Sequence, residues 1–307
     1  FSLLFLFVPC LLAGQDYNVY YQGINQARLH LIEGDFPQAV ASYQQVFEDF
    51  EFAFARDCYH AVETAVLAKD TIQLSYFLKR AMRQGVPWSF LLSSAVPAHY
   101  HNQPFLQVIK QQRDSLEQLY RSNINWELRQ EIITMFKEDQ VVRKRYYDAI
   151  LLKRKKIGRE WIDLNRRQVE RLIEITKSDG FPGERLIGLD TKTMHSKVMD
   201  GDLSAGMPVV IFIHNYSQPN SSYDTVLFKE VTKGNIYNEH FASICDFEAA
   251  FGKGKYKNFG FYGQRHGQQL NDPKIKQKRS KIGLLTREQM AQLYQKRYLT
   301  PFWKRLY

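Results

Sequence analysis

His214 is the residue around which the sequence could organise chemistry. It follows the apolar run 207–213 and precedes the mostly polar stretch 215–222. An apolar element that ends on a titratable side chain is a common way to bring a reactive group to a cavity wall. An imidazole there can act as a general base, or it can be a satisfied histidine at the edge of the core. The sequence alone leaves both interpretations open.

Signatures of familiar catalytic classes are absent from the sequence. The serine in 201–206 lacks the spacing of a nucleophile elbow, and the glycines of 252–254 lack the rest of a phosphate-binding loop. The histidines of the second half also stand singly, without the four-residue spacing that puts two imidazoles on one helix face. They are His195, His214, His240 and His266. We therefore predict no metal site and no cofactor.

Helical periodicity dominates the chain, which predicts a mainly α protein. Residues 16–122 carry a spacing of small residues, a turn glycine and aromatics that resembles tetratricopeptide repeats. The first copy consists of Ala27, Gly34, Phe36, Ala39, Tyr43 and Phe47. A second, degenerate copy aligns Gly34-Asp35 with Lys69-Asp70. Such helix pairs stack into an array whose groove can take a peptide.

Residues 123–307 are predicted to form a second, helical domain. A long helix is expected from Trp126 to about Leu152, and within it Asp139 and Arg143 are four residues apart, so they share a face and can pair. A basic run, 153–159, follows. Glycines and aromatics over 259–270 predict one small β-hairpin.

A succession of short motifs in this half resembles an uncharacterised family of bacterial domains found in exported proteins, sometimes behind helical repeats. The resemblance covers about Glu131 to Tyr294. The motifs are Asp139-Gln140-x-x-Arg143, Trp161-Ile-Asp-Leu-Asn165, Gly180-Phe-Pro182, Ile187-Gly188, the run into His214, Ala242-x-x-x-Asp246, Tyr262-Gly263-Gln264, Asp272-Pro273 and Arg279-x-x-x-Gly283-Leu284. The chain departs from the family at three points. The family tends to have Gln where Ile213 stands, Arg where Phe247 stands, and a Thr between the residues equivalent to Gly263 and Gln264. The family has no established activity, so the resemblance implies architecture and candidate positions only.

The shared positions supply a polar set that could converge on His214. In this set Asp139 or Asp246 would orient His214 as a general base, and Arg143 would hold an anionic group. The binding positions are Gln140, Arg143, Asn165, Tyr262 and Gln264. The alternative is a buried polar network that only fixes the order of the helices.

Export is predicted from residues 1–15, whose apolar stretch ends on Ala13-Gly14 and resembles a signal peptide with a truncated start. The mature protein would then be periplasmic or secreted. Cys58 and Cys245 fall in different predicted domains, so we expect two buried thiols and no disulfide.

The net charge of +10 is concentrated in residues 268–307, where ten Lys and Arg stand against two acidic residues. This basic segment could contact an anionic surface, whereas aromatic spacing typical of nucleic-acid modules is missing. We predict a binding or scaffold protein whose repeat groove takes a peptide or protein partner. The alternative is a hydrolase centred on His214.

Overall fold

The computed structural model describes residues 15–190, 203–215, 222–251, 262–263 and 272–300. Within these ranges every regular element is a helix, which confirms the prediction of a mainly α protein. The α-helices are α1 (Tyr17–Glu33), α2 (Phe36–Asp49), α3 (Ala55–Ala68), α4 (Thr71–Arg83), α5 (Trp88–Ser94), α6 (Pro104–Ser122), α7 (Trp126–Asp148), α8 (Leu151–Ser178), α9 (Glu184–Ile187), α10 (Met207–Ile213), α11 (Asp224–Thr232), α12 (Asn238–Phe251), α13 (Pro273–Lys281) and α14 (Arg287–Gln295). A 3-10 turn, Ala98–Tyr100, precedes α6.

Two sequence predictions lie largely outside these ranges. The expected signal peptide is outside them up to residue 14, and the expected hairpin over 259–270 is outside them except for Tyr262 and Gly263. No helix of the described ranges combines the length and apolarity needed to cross a membrane.

The first four helices form two hairpins with the same kind of turn. Gly34 has φ 85° at the end of α1, and Lys69 has φ 56° at the end of α3. The next residue in each turn, Asp35 or Asp70, accepts a hydrogen bond from a backbone N–H in the first turn of the following helix. Both hairpins therefore end one helix in the left-handed conformation and start the next with an aspartate cap.

α7 and α8 form a long hairpin whose connection the sequence did not reveal. The prediction of one helix from Trp126 to about Leu152 is wrong, because α7 ends at Asp148 and Ala149 turns to an extended conformation. α8 then starts at Leu151, so the basic run 153–159 is its first part. Neither glycine nor proline marks the turn.

α10 is a short helix sealed inside the molecule. All seven of its residues, Met207–Ile213, are buried, and the helix packs against α7, α8 and α12. Asp190 Oδ2 accepts hydrogen bonds from the N–H groups of Gly206 (2.8 Å) and Met207 (3.2 Å), which satisfies donors that the start of a helix leaves free. His214 is the C-cap of this helix, and its N–H donates to the Val210 carbonyl at 2.9 Å. The core therefore fixes the backbone that carries His214.

The first helix of each hairpin, α1 or α3, packs against the second half of the chain through buried charged groups. Asp57 accepts hydrogen bonds from Arg28 (2.9 Å) and from the Tyr237 hydroxyl (3.0 Å), and all three side chains are buried. Arg56 forms an ion pair of 2.7 Å with Glu239, and both side chains are almost inaccessible to solvent. α1 and α3 are thus tied to α12 and the residue before it.

Further contacts cover the same faces of α1 and α3. The Tyr21 hydroxyl donates to the Ile236 carbonyl at 3.0 Å, and Glu63 on α3 accepts from the Thr300 N–H at 3.0 Å. Apolar side chains from both halves form one continuous core. Cys58 and Cys245 are both buried free thiols.

Candidate functional site

The site consists of His214 at the end of α10 and a carboxylate from α7. Asp139 Oδ2 lies 2.7 Å from His214 Nδ1, although the two residues are 75 positions apart in the sequence. The Asp139 side chain has no exposed surface, while 12% of the His214 side chain is exposed. A buried acid therefore holds an imidazole that reaches the surface of the bundle.

Three further donors surround the Asp139 carboxylate. Trp161 Nε1 (2.7 Å) and Asn165 Nδ2 (2.9 Å) donate to Oδ1, and Gln140 Nε2 (2.8 Å) donates to Oδ2. Burial alone would raise the pKa of Asp139, but the hydrogen bonds and charge of His214, together with Trp161 and Asn165, outweigh it and lower that pKa. The carboxylate is therefore ionised at neutral pH.

This ionisation fixes the tautomer of His214. An ionised carboxylate only accepts hydrogen bonds, so Nδ1 must carry the proton that lies between the two groups. The neutral ring then has its lone pair on Nε2, which makes no hydrogen bond to the described part of the chain. A histidine whose Nδ1–H is held by a carboxylate and whose Nε2 is unengaged has the arrangement of a general base.

Aromatic rings pack beside the imidazole. The Trp161 ring meets the His214 ring edge to face, with centroids 5.3 Å apart. The rings of Tyr146 and Tyr147, at the end of α7, also pack against the Trp161 ring. Their centroids lie 5.5 and 6.4 Å from the Trp161 centroid. One side of the imidazole is therefore in an apolar environment, which strengthens its hydrogen bond to Asp139.

Two buried amide oxygens near Asp139 accept no hydrogen bond from the described residues. They are Asn165 Oδ1 and Gln168 Oε1, while the Gln168 amide group donates to the Met135 carbonyl at 2.7 Å. A buried acceptor without a donor costs free energy, so these oxygens favour a bound molecule that can donate.

The carboxylate that is hydrogen-bonded to His214 is Asp139, whereas Asp246 contacts the backbone at Tyr262. Asp246 is buried on α12 and accepts a hydrogen bond from the Tyr262 backbone N–H. Arg279 donates to the Tyr262 carbonyl at 2.8 Å and to the Leu285 carbonyl at 2.6 Å. Burial lowers the pKa of Arg279 to about 10. These contacts hold the backbone at Tyr262.

Arg143 does not pair with Asp139. Its guanidinium lies over the Tyr147 ring, 5.2 Å from the centroid, and its side chain is half-buried. The carboxylate of Asp139 is instead surrounded by neutral donors and His214. Gln264 lies outside the described residues.

The structure thus brings together Asp139, Gln140, Asn165 and His214 from the predicted set, and it adds Trp161. The signal for Trp161 was present, because it stands four residues before Asn165 and both face Asp139 from α8. No group of three or more metal-binding side chains occurs in the described ranges.

The fold and the site together define an α-helical protein with a buried carboxylate–histidine pair. Comparison of the chain with family models, curated proteins and solved structures returned no match.

Proposed function

We propose that the protein is an enzyme of hydrolase type in which His214 is the general base and Asp139 is its orienting group. The observation that supports this most directly is the 2.7 Å hydrogen bond between a fully buried carboxylate and Nδ1 of a partly exposed imidazole. The exposed edge of the imidazole would let its Nε2 reach a bound molecule.

The proposed chemistry follows from the tautomer. Nε2 takes a proton from a water molecule or a substrate hydroxyl, which makes that oxygen a better nucleophile toward an ester, amide or phosphoester. The negative charge on Asp139 stabilises the imidazolium that forms, and the proton is later given to the leaving group. The Asn165 oxygen is a candidate acceptor for a donor group of the substrate.

A peptide- or protein-binding scaffold is the other function that the sequence suggests, and it stays a prediction. The inner faces of α1 and α3, which would line a repeat groove, carry Arg28, Arg56 and Asp57. All three contact residues of the chain's own second half. An external peptide would have to displace these buried contacts, and this favours the His214 site.

The first test measures hydrolysis of chromogenic carboxylic esters, phosphoesters and peptide anilides. For any substrate turned over, we expect His214→Gln to lower kcat/KM about 10²-fold or more and Asp139→Asn to have an effect of similar size. Arg166→Met is the control, because this exposed residue of α8 pairs with Asp163 and is not one of the site residues. Unchanged turnover in His214→Gln would contradict the proposal.

A second test needs no substrate. Diethyl pyrocarbonate modifies a neutral, accessible imidazole nitrogen, and peptide mass spectrometry locates the product. We expect modification at His214 and protection at His60 and His240, which are each only 3% exposed. A His214 as protected as His240 would show a sealed structural network and would count against a catalytic role.

A further inference from the structure

The turn between α7 and α8 exposes large apolar side chains to solvent. We call residues 143–156 the hairpin tip. Within it Tyr147 is 58% exposed, Ile150 78% and Leu152 86%. A monomeric protein gains nothing in stability from presenting such residues together at a protruding turn, and grouped exposure of this kind marks an interaction surface.

The hairpin tip is also strongly basic. It carries seven Lys and Arg residues against one acidic residue, Asp148. The basic residues are Arg143, Lys144, Arg145, Lys153, Arg154, Lys155 and Lys156. Lys144 pairs with Asp148, and Arg145 pairs with Glu160. The other five form no ion pair with the described residues, so most of the positive charge of the tip stays uncompensated there.

The position of these side chains is fixed by contacts between the two helices. Arg154 donates hydrogen bonds to the carbonyls of Tyr146 (3.2 Å) and Tyr147 (3.1 Å), which ties the start of α8 to the end of α7. A side chain at Gly158 would press on the Tyr146 ring, so the glycine allows α8 to approach it closely. The apolar residues are therefore presented on a braced turn.

We propose that the hairpin tip binds the surface of a membrane that contains anionic lipids. Ile150 and Leu152 would enter the boundary between headgroups and acyl chains, while Lys153, Lys155 and Lys156 contact the anionic headgroups. Apolar residues surrounded by Lys and Arg are the combination that membrane-surface elements use. A nucleic acid would be complementary to the charge but would leave Ile150 and Leu152 in water.

This proposal does not depend on the proposed enzymatic activity, but the two sites are close. Tyr147 of the hairpin tip packs against Trp161, which packs against His214. Binding through the tip would hold the His214 side of the molecule near the lipid surface.

The experiment is co-sedimentation of the full chain with vesicles of phosphatidylcholine alone or mixed with phosphatidylserine. We expect binding to the mixed vesicles that weakens as salt is raised, and little binding to neutral vesicles. The triple variant Lys153→Gln/Lys155→Gln/Lys156→Gln should bind about 100-fold more weakly, because each of the three lysines near an anionic surface contributes about fivefold.

A double variant, Ile150→Ser/Leu152→Ser, tests the apolar part of the contact. It should weaken binding by about tenfold or more, since both side chains would leave the lipid boundary. The matched control is Ile72→Ser on α4, where the isoleucine is 79% exposed. This control should bind like the wild type.

The basic segment 268–307 is the rival source of any binding. The control Lys274→Gln/Lys278→Gln/Lys281→Gln removes the same number of charges from α13, and circular dichroism confirms folding of each variant. Three results would overturn the proposal: no binding to the mixed vesicles, equal binding to neutral vesicles, or a loss that follows the α13 variant and spares the tip variants.

Discussion

Asp224 is a buried carboxylate on α11. It is 1% exposed, and neither of its oxygens accepts a hydrogen bond from the part of the chain that the structure describes. Burial, and to a smaller extent the charge of Glu248, raises its pKa from 3.8 to about 7. The folded protein therefore holds a proton that the unfolded chain releases between these two pH values. The contribution of Asp224 to the free energy of unfolding is therefore full below the unfolded-state pKa, and it is lost as pH rises through the folded-state pKa.

We predict that Asp224→Asn removes this pH dependence. At about pH 8 the variant should be more stable than the wild type by on the order of 2–4 kcal/mol, because no buried negative charge has to form. Near pH 4 the difference should vanish, since Asp224 is then protonated in the folded wild type. Urea unfolding at both pH values measures this. A variant less stable than the wild type at the higher pH would show that the carboxylate is stabilised when ionised.

Burial also explains which residues of the predicted site meet. The four-residue spacing of Asp139 and Arg143 correctly places them on one helix face, but it does not say which side chain turns inward. Asp139 is sealed in the bundle, where Trp161, Asn165 and His214 satisfy it, while Arg143 stays near the surface over Tyr147. The resemblance supplied the candidate positions, whereas the contact of His214 with Asp139 and not with Asp246 depends on long-range packing.

At the scale of elements, local turn chemistry could be predicted from the sequence. Gly34-Asp35 and Lys69-Asp70 were aligned by their spacing, and they form the same turn. The boundary between α7 and α8 could not be predicted in this way. Ala149 and Ile150 have no intrinsic tendency to stop a helix, so only the tertiary packing of the hairpin makes the chain turn there.

Two glycines in turns allow the cost of a steric contact to be measured separately from the cost of a left-handed backbone. Gly34 and Gly85 both have φ +85°, but a Cβ at Gly34 would meet nothing, whereas one at Gly85 would press into the Tyr120 ring. That ring is held in place, because its hydroxyl accepts a hydrogen bond of 2.7 Å from the Leu189 N–H. The two sites therefore share the backbone strain and differ in the steric contact.

We expect Gly34→Ala to cost about 1 kcal/mol, from the left-handed backbone alone. Gly85→Ala should cost about 2–4 kcal/mol, because overpacking against Tyr120 is added to the same strain. The free energy of unfolding from urea denaturation measures both. Equal costs would mean that Tyr120 moves freely, and the connection between α6 and the segment after α9 would then be weaker than these contacts indicate.

At the scale of the whole molecule, the two halves share one core. The predicted boundary at residues 122 and 123 stays a prediction, but buried polar contacts join α1 and α3 to residues beyond position 230. The sequence could not reveal this, because each half carries its own helical periodicity and nothing local marks Arg28 or Arg56 as a buried residue. Their partners lie 209 and 183 positions away.

The ion pair of Arg56 and Glu239 tests whether the halves unfold together. We expect Arg56→Met to cost about 3–5 kcal/mol, because it leaves Glu239 buried without its partner. Glu239→Gln should be non-additive with it in a double-mutant cycle, with a coupling energy of about 1–3 kcal/mol.

The matched control is Arg121→Met, which breaks an ion pair with Glu117 at the surface. The two side chains are 60% and 57% exposed, so this change should cost about 0.5 kcal/mol or less. Urea unfolding followed by circular dichroism and by tryptophan fluorescence should give coincident single transitions in the wild type and in every variant. If Arg56→Met instead split the unfolding into two transitions, each half would have its own stability, and the shared core would not be what holds the chain together.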